Sequence, residues 1–177
     1  EFRRVLFRSD MLAIAQANKA TIIAIAEVAT YAQSQGVKAH GMNLGGRYVF
    51  PFGSVKFVPA LHSSGYEIDG VMTYMGEASG IILEAEDKKI YHAGDTALFS
   101  DMRLFAKDKS IDVAFLPIGD NYTMGPEDAL EAVSYLNPEI TIPIHYNTFP
   151  VIQQNPAIFV EQVVGGKVLN PGETILV

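Results

Sequence analysis

The sequence contains no cysteine. Disulfide staples, thiolate nucleophiles and sulfur-ligated zinc or iron–sulfur centres are therefore excluded, and any metal must be held by His, Asp or Glu. The absence also fits a reducing compartment. Positive charge is scarce: 13 Lys and Arg face 20 Asp and Glu, a formal net charge of −7. The one dense basic run is Arg3, Arg4 and Arg8, so the composition offers no footprint for a nucleic-acid backbone. An acidic protein can still take an anionic small molecule where a metal inverts the local potential. No run of 18 apolar residues occurs; the most apolar segment, residues 11–32, is broken by Gln16, Asn18, Lys19 and Glu27. No secretory arrangement of basic, apolar and small residues is found either, so a cytoplasmic protein without a membrane partner is expected. A GxGxxG turn, a Walker phosphate loop and a GxSxG elbow are missing as well. Ser63 and Ser64 abut His62, but no acid is evidently paired with that imidazole, which argues against a Ser–His–Asp triad.

What is present suits one structural unit. The 177 residues are 49% hydrophobic and 19% charged, enough to build a sizeable core. No internal repeat, low-complexity tract or linker interrupts them. Residues 10–19 read as a helix with Asp10 as N-cap, residues 21–25 as a strand, residues 27–35 as a helix stopped by Gly36, and residues 37–39 as a short strand. Turn-rich hairpins follow, 48–50 with 55–60 and 81–85 with 89–92, separated by a loop over 63–70 and a strand or loop wall over 71–75. Residues 100–107 read as a short helix and 111–118 as a strongly apolar strand. Pro126 opens the clearest helix, ahead of Glu127 and Asp128 at its positive end. Residues 140–144 form a strand, 156–164 a helix, and 167–169 and 174–176 terminal strands. This mixture is α/β (α+β).

The first residue is Glu1 rather than Met. Residues 1–9, EFRRVLFRS, resemble the translated end of a sequencing adapter joined to an interrupted gene; an amphipathic strand around residues 5–7 is the alternative. The domain proper is expected over 10–177.

Four histidines are available: His40, His62, His92 and His145. His62 ends VKFVPALH, His145 ends ITIPIH, and Asp95 follows the strand carrying His92. Sites in layered α/β folds gather at the carboxyl ends of strands, and imidazole with carboxylate is a workable donor set for a divalent metal. Against this stands the reading of each residue as a hydrogen-bonded structural group, and spacing alone leaves both open. Asp95 could equally cap the helix that follows. His92, within its strand, suits a supporting role, and His40 a surface loop. Asp120 and Asn121 read as a structural turn, with Asn121 or Thr123 lining the crevice.

The stretches ALHSS, IYHAGDTALFSDM, AFLPIGDNYTMGPEDA and IPIHYNTFP together resemble the metallo-β-lactamase superfamily, in particular metal-dependent hydrolases related to L-ascorbate-6-phosphate lactonase. The likeness spans about residues 10–177. It implies an αββα sandwich, here its C-terminal part with an incomplete first sheet, and a dinuclear site. By the same resemblance His62, Asp95 and His145 would be metal ligands with catalytic roles, Asp95 bridging the two ions. His92, Thr96, Asn121 and Asn147 would line or support the site. The implied chemistry is hydrolysis of a small molecule by metal-activated water, with two Zn(2+) expected and Mn(2+) or Ni(2+) also admissible. The family's HxHxDH motif is not in this sequence, so the chain by itself is expected to be inactive and to self-associate through an exposed sheet. A non-catalytic binding module and a non-functional gene fragment are the competing readings.

Overall fold

The computed structural model describes residues 10–177. Both readings of residues 1–9, adapter or strand, lie outside the described residues. In chain order the elements are α1 (Met11–Asn18), β1 (Ile22–Ile25), α2 (Ala26–Ser34), β2 (Ala39–Met42), β3 (Arg47–Phe50) and β4 (Gly53–Pro59). Then come β5 (Tyr66–Ile68), β6 (Val71–Thr73), β7 (Ser79–Ala85), β8 (Lys88–His92) and β9 (Val113–Pro117), followed by α3 (Pro126–Leu136), β10 (Ile140–Ile144) and α4 (Pro156–Glu161). None of the helices described is long and apolar enough to cross a membrane. The residues gather into two compact units, one of residues up to Leu44 with Ser64–Glu77, the other of Gly45–Ser63 with Ala78–Val177.

In the first unit β1 and β2 pair in parallel, Ile22 opposite Ala39. Ala15 of α1, Ile22 of β1, Ala32 of α2 and Val37 form its core. Small residues set the spacing: a Cβ on Gly41 would stand 3.3 Å from the Ala29 Cβ, so α2 lies close on β2 because both contact positions are small. The antiparallel pair β5–β6 completes the unit.

The second unit is built on a six-stranded sheet in the order β10-β9-β8-β7-β4-β3. The strands β8, β9 and β10 are mutually parallel, while β7 is antiparallel to both β4 and β8. β9 is buried at four of its five positions, as expected of a strand covered on both faces. The crossover from β9 to β10 is α3, which buries Ala129, Ala132 and Leu136. Val58, Ile82, Tyr91, Phe105, Leu116 and Leu136 belong to the main core. The loop after the short 3-10 helix Ser100–Leu104 is held by buried Lys89, whose ammonium donates to the Phe105 and Lys109 carbonyls at 2.6 and 3.0 Å.

The sequence expectations hold for both long hairpins and for the helix and strand at 126–136 and 140–144. Several details differ. Residues 66–68, expected within a loop, pair as a hairpin with 71–73, where a strand or loop wall was expected; three-residue strands are too short for a periodic signal. The helix after Asp95 is a 3-10 turn that starts at Ser100 with Phe99 before it, so Asp95 is not its cap. Asp10 makes no side-chain cap bond. The helix expected over 156–164 stops at Glu161. The two terminal strands are replaced by one bridge, Thr141 to Gly166, after which the chain turns at Asn170–Glu173 instead of extending along β10.

Candidate functional site

The strand directions decide where the chemistry collects. Because β7 opposes both β4 and β8, β4 runs the same way as β8, β9 and β10. The segments after Pro59, His92, Pro117 and Ile144 therefore leave the sheet by one edge, carrying His62, Asp95, Asn121 and His145. That carboxyl edge is where open α/β sheets keep their sites.

Thr96 ties three of these segments together. It is fully buried; its Oγ1 accepts from Leu61 N at 2.9 Å and donates to the Ala97 carbonyl at 2.8 Å. Ala97 N in turn donates to the Leu61 carbonyl, and Met124 N donates to the Thr96 carbonyl. The residue before His62, the residue after Asp95 and the loop after β9 are thus fixed to one another. The role of Thr96 is to position, through its backbone as much as its hydroxyl.

Asp95 and His145 meet directly. Asp95 Oδ2 lies 3.6 Å from His145 Nε2, beyond a good hydrogen bond but within ion-pair distance, with both side chains partly buried. His145 holds φ at +54°, a left-handed conformation uncommon for a non-glycine residue and enriched where function constrains the backbone. Its Nδ1 is buried with no hydrogen-bond partner among the described residues. Gly119, just past β9, makes room for this arrangement. A Cβ there would overlap the His145 carbonyl oxygen and stand 3.0 Å from Nδ1 and 3.1 Å from the Ile152 Cβ.

The other imidazoles divide by their hydrogen bonds. His62 is exposed, and its Nδ1 lies 2.8 Å from the Ser63 carbonyl. A carbonyl only accepts, so Nδ1 carries the proton and Nε2 keeps its lone pair, the usual polarity of a metal-ligating histidine. His92 has the reverse polarity: Nδ1 accepts from Gly94 N at 3.1 Å, so the neutral ring carries its proton on Nε2. The ring stacks on Phe115, and burial pushes its pKa below the ordinary histidine value, the Asp95 carboxylate opposing that shift only in part. His92 is thus a neutral ring that keeps Nε2–H as its donor and feels the charge of Asp95. His40 is not in a loop; it sits half-buried within β2, opposite Ile23.

Asn121 is exposed on a left-handed turn at φ +50°, its N–H held by the Asp120 carboxylate at 2.8 Å. Asn147 is also left-handed, at φ +59°, and its Oδ1 accepts from Gln154 N at 2.7 Å. Gly119 and the amides at 153–155 were not singled out from the sequence. Gly119 acquires its role through a residue 26 positions later, which no local pattern reports; the run QQNP after His145 was visible as a polar cluster.

The fold's implied metal can be tested against the Asp95–His145 pair. Two ligands at about 2.0–2.1 Å from a tetrahedral zinc stand about 3.3 Å apart, so a nitrogen and a carboxylate oxygen facing at 3.6 Å suit a shared ion. The pair fits. It supplies two donors, and among the described residues no three His, Asp or Glu side chains close on one point.

Comparison with known proteins agrees with this architecture. The profile of the beta-lactamase superfamily domain matches residues 3–146. A UPF0173 metal-dependent hydrolase of Enterococcus faecalis is 98% identical over 168 residues, covering 95% of this chain and 75% of that protein. Another, from Bacillus cereus, is 51% identical over 170 residues, covering 94% and 75%. Among solved structures, the metallo hydrolase Igni18 of the archaeon Ignicoccus hospitalis is 35% identical with a TM-score of 0.84, over 94% of this chain and 72% of that one. The mixed α/β fold, the shared carboxyl edge and these matches make the chain a member of the metallo-β-lactamase superfamily, in the branch whose relatives are named metal-dependent hydrolases.

Proposed function

We propose that this chain carries part of the metal centre of a hydrolase acting on a small molecule, with Asp95, His145 and His62 as its metal-binding residues. The observation that carries the reading is the approach of Asp95 Oδ2 to His145 Nε2 in a partly buried pair whose histidine is held in a left-handed backbone. A divalent ion at this pair would polarise the scissile group and lower the pKa of water.

The chain's own residues have distinct tasks in this scheme. Asp95 offers two oxygens, the number needed to serve two ions at once. His145 offers Nε2, aimed by the close packing against Gly119. His62 offers Nε2, its other nitrogen being engaged by Ser63. His92 keeps Nε2–H as a neutral donor, feels the charge of the Asp95 carboxylate and can orient it, as outer partners of metal ligands do. Thr96 holds the His62 and Asp95 segments in register. Zinc suits imidazole and carboxylate donors, and two ions are the proposed complement; manganese and nickel suit the same donors. Two donors in reach of each other bind less tightly than the three or four of a stable zinc site, so the 177 residues alone should bind metal weakly.

The test is titration of the chain with Mn(2+) followed by NMR of the histidine rings. His145 and His62 should broaden before His40, and Asp95→Asn should abolish the effect on His145. Uniform broadening of all four rings, or none, refutes the reading. The 3.6 Å separation also admits a plain ion pair in a non-catalytic binding module. In that case Mn(2+) would leave the pair untouched.

A further inference from the structure

Just beyond His145 an open depression of about 430 Å³ is lined by four carboxamides: Asn147, Gln153, Gln154 and Asn155. A carboxamide normally reads as donor or acceptor by rotating its end. Here the backbone removes that freedom at two of the four. Asn147 Oδ1 accepts from Gln154 N at 2.7 Å. Asn155 Oδ1 accepts from Ala157 N at 3.1 Å as the cap of α4. Each bond uses one lone pair of the oxygen and fixes which end of the amide faces the backbone, leaving Nδ2 as the donor end. Asn147 is fixed further by its own N–H, which donates to the Ile152 carbonyl at 2.9 Å, and by its left-handed backbone. Gln154 Nε2 reaches towards the Gly119 carbonyl at 3.5 Å, at the limit of hydrogen bonding, and so stays adjustable. Gln153 can serve either way.

The lining thus presents fixed donors without a lysine or arginine among them. Recognition of phosphate or carboxylate usually recruits a cation, and arginine above all. What fits neutral, fixed donors is a neutral group rich in accepting oxygens, such as vicinal hydroxyls or an uncharged carbonyl.

We propose that this amide-lined depression is the subsite that holds a neutral, oxygen-rich portion of the substrate next to the Asp95–His145 pair. The inference rests on reading that pair as the reacting centre, but the binding it predicts can be measured separately. The substitutions Asn147→Asp and Asn155→Asp are the sharpest probes. Each keeps the oxygen that accepts the backbone N–H, so the loop and the cap persist, and each replaces the offered donor with a charged acceptor.

The side-chain amide signals of the ¹⁵N-labelled chain would be followed by NMR while adding N-acetyl-D-glucosamine as a neutral oxygen-rich probe, inorganic phosphate as an anion and cyclohexanol as an apolar control. The sugar should shift the Asn147, Gln153 and Asn155 amide signals saturably. Either Asp variant should weaken that binding by about tenfold or more, the loss of one charge-mismatched hydrogen-bond site. Tighter binding of phosphate, equal binding of cyclohexanol, or no shift with the sugar overturns the proposal. The Mn(2+) titration keeps the two readings apart. Sugar binding without broadening of His145 would sink the metal centre and leave a sugar site, whereas broadening without sugar binding would sink the subsite alone.

Discussion

Replacing Gly119 by Ala isolates one contact on which the candidate site depends. A Cβ at this position would overlap the His145 carbonyl and crowd Nδ1 at 3.0 Å and the Ile152 Cβ at 3.1 Å. Gly119 is buried and does not occupy a left-handed conformation, so the backbone itself accepts alanine and the cost is steric. Neither side yields easily: the carbonyl is backbone at the end of β10, and Ile152 is fully buried. Overpacking of this kind costs about 1–3 kcal/mol, and a backbone obstacle puts the expectation near the upper end, about 2–3 kcal/mol. In a chain of this length that lowers Tm by about 5–10 °C. Thermal and urea unfolding by circular dichroism measure the stability, and the His145 ring resonances report its displacement. A Gly119→Ala chain within about 0.5 kcal/mol of the parent, with His145 unmoved, would show that the close approach does not shape the site.

Thr96→Val keeps the side chain's shape and removes both hydroxyl bonds. Leu61 itself reaches solvent, so the loss should be about 1–2 kcal/mol by urea unfolding, and Thr96→Ser should restore most of it; equal damage by both variants would count against a hydrogen-bonding role. The Asp112 carboxyl is disfavoured as an anion by burial, but the Lys89 N–H and the Lys88 ammonium outweigh this and hold its pKa below the ordinary value. Its contribution is complete above the unfolded pKa and disappears as pH falls through the lower folded one, so Asp112→Asn should flatten the acid limb of the stability profile. His92 adds a loss of the same sign at higher pH. Its folded pKa is lowered by burial, so below about pH 6.5 the unfolded chain binds the proton more readily and stability falls with pH until the folded value is passed. The His92→Gln variant should lose that slope in unfolding measured from pH 8 to 5; an unchanged slope would place the effect elsewhere.

The sequence by itself determined the class of the molecule. Apolar runs with breakers between them announced β4, β9, β10 and α3, because burial on one or both faces demands side chains of that kind at those spacings. The absence of cysteine restricted any metal to oxygen and imidazole donors, and the family stretches pointed to Asp95, His62 and His145 before any contact was known. Tertiary structure decided what a linear pattern cannot encode. The antiparallel insertion of β7 between β4 and β8 brings four strand ends to one edge, which depends on β4 finding β7 and β8 finding β9 across intervening segments that no local pattern spans. The polarity of each imidazole was settled by single backbone partners, the Ser63 carbonyl for His62 and the Gly94 N–H for His92. Gly119 became significant only when the chain returned to lay His145 against it, and a glycine's missing side chain has no meaning until something occupies its space.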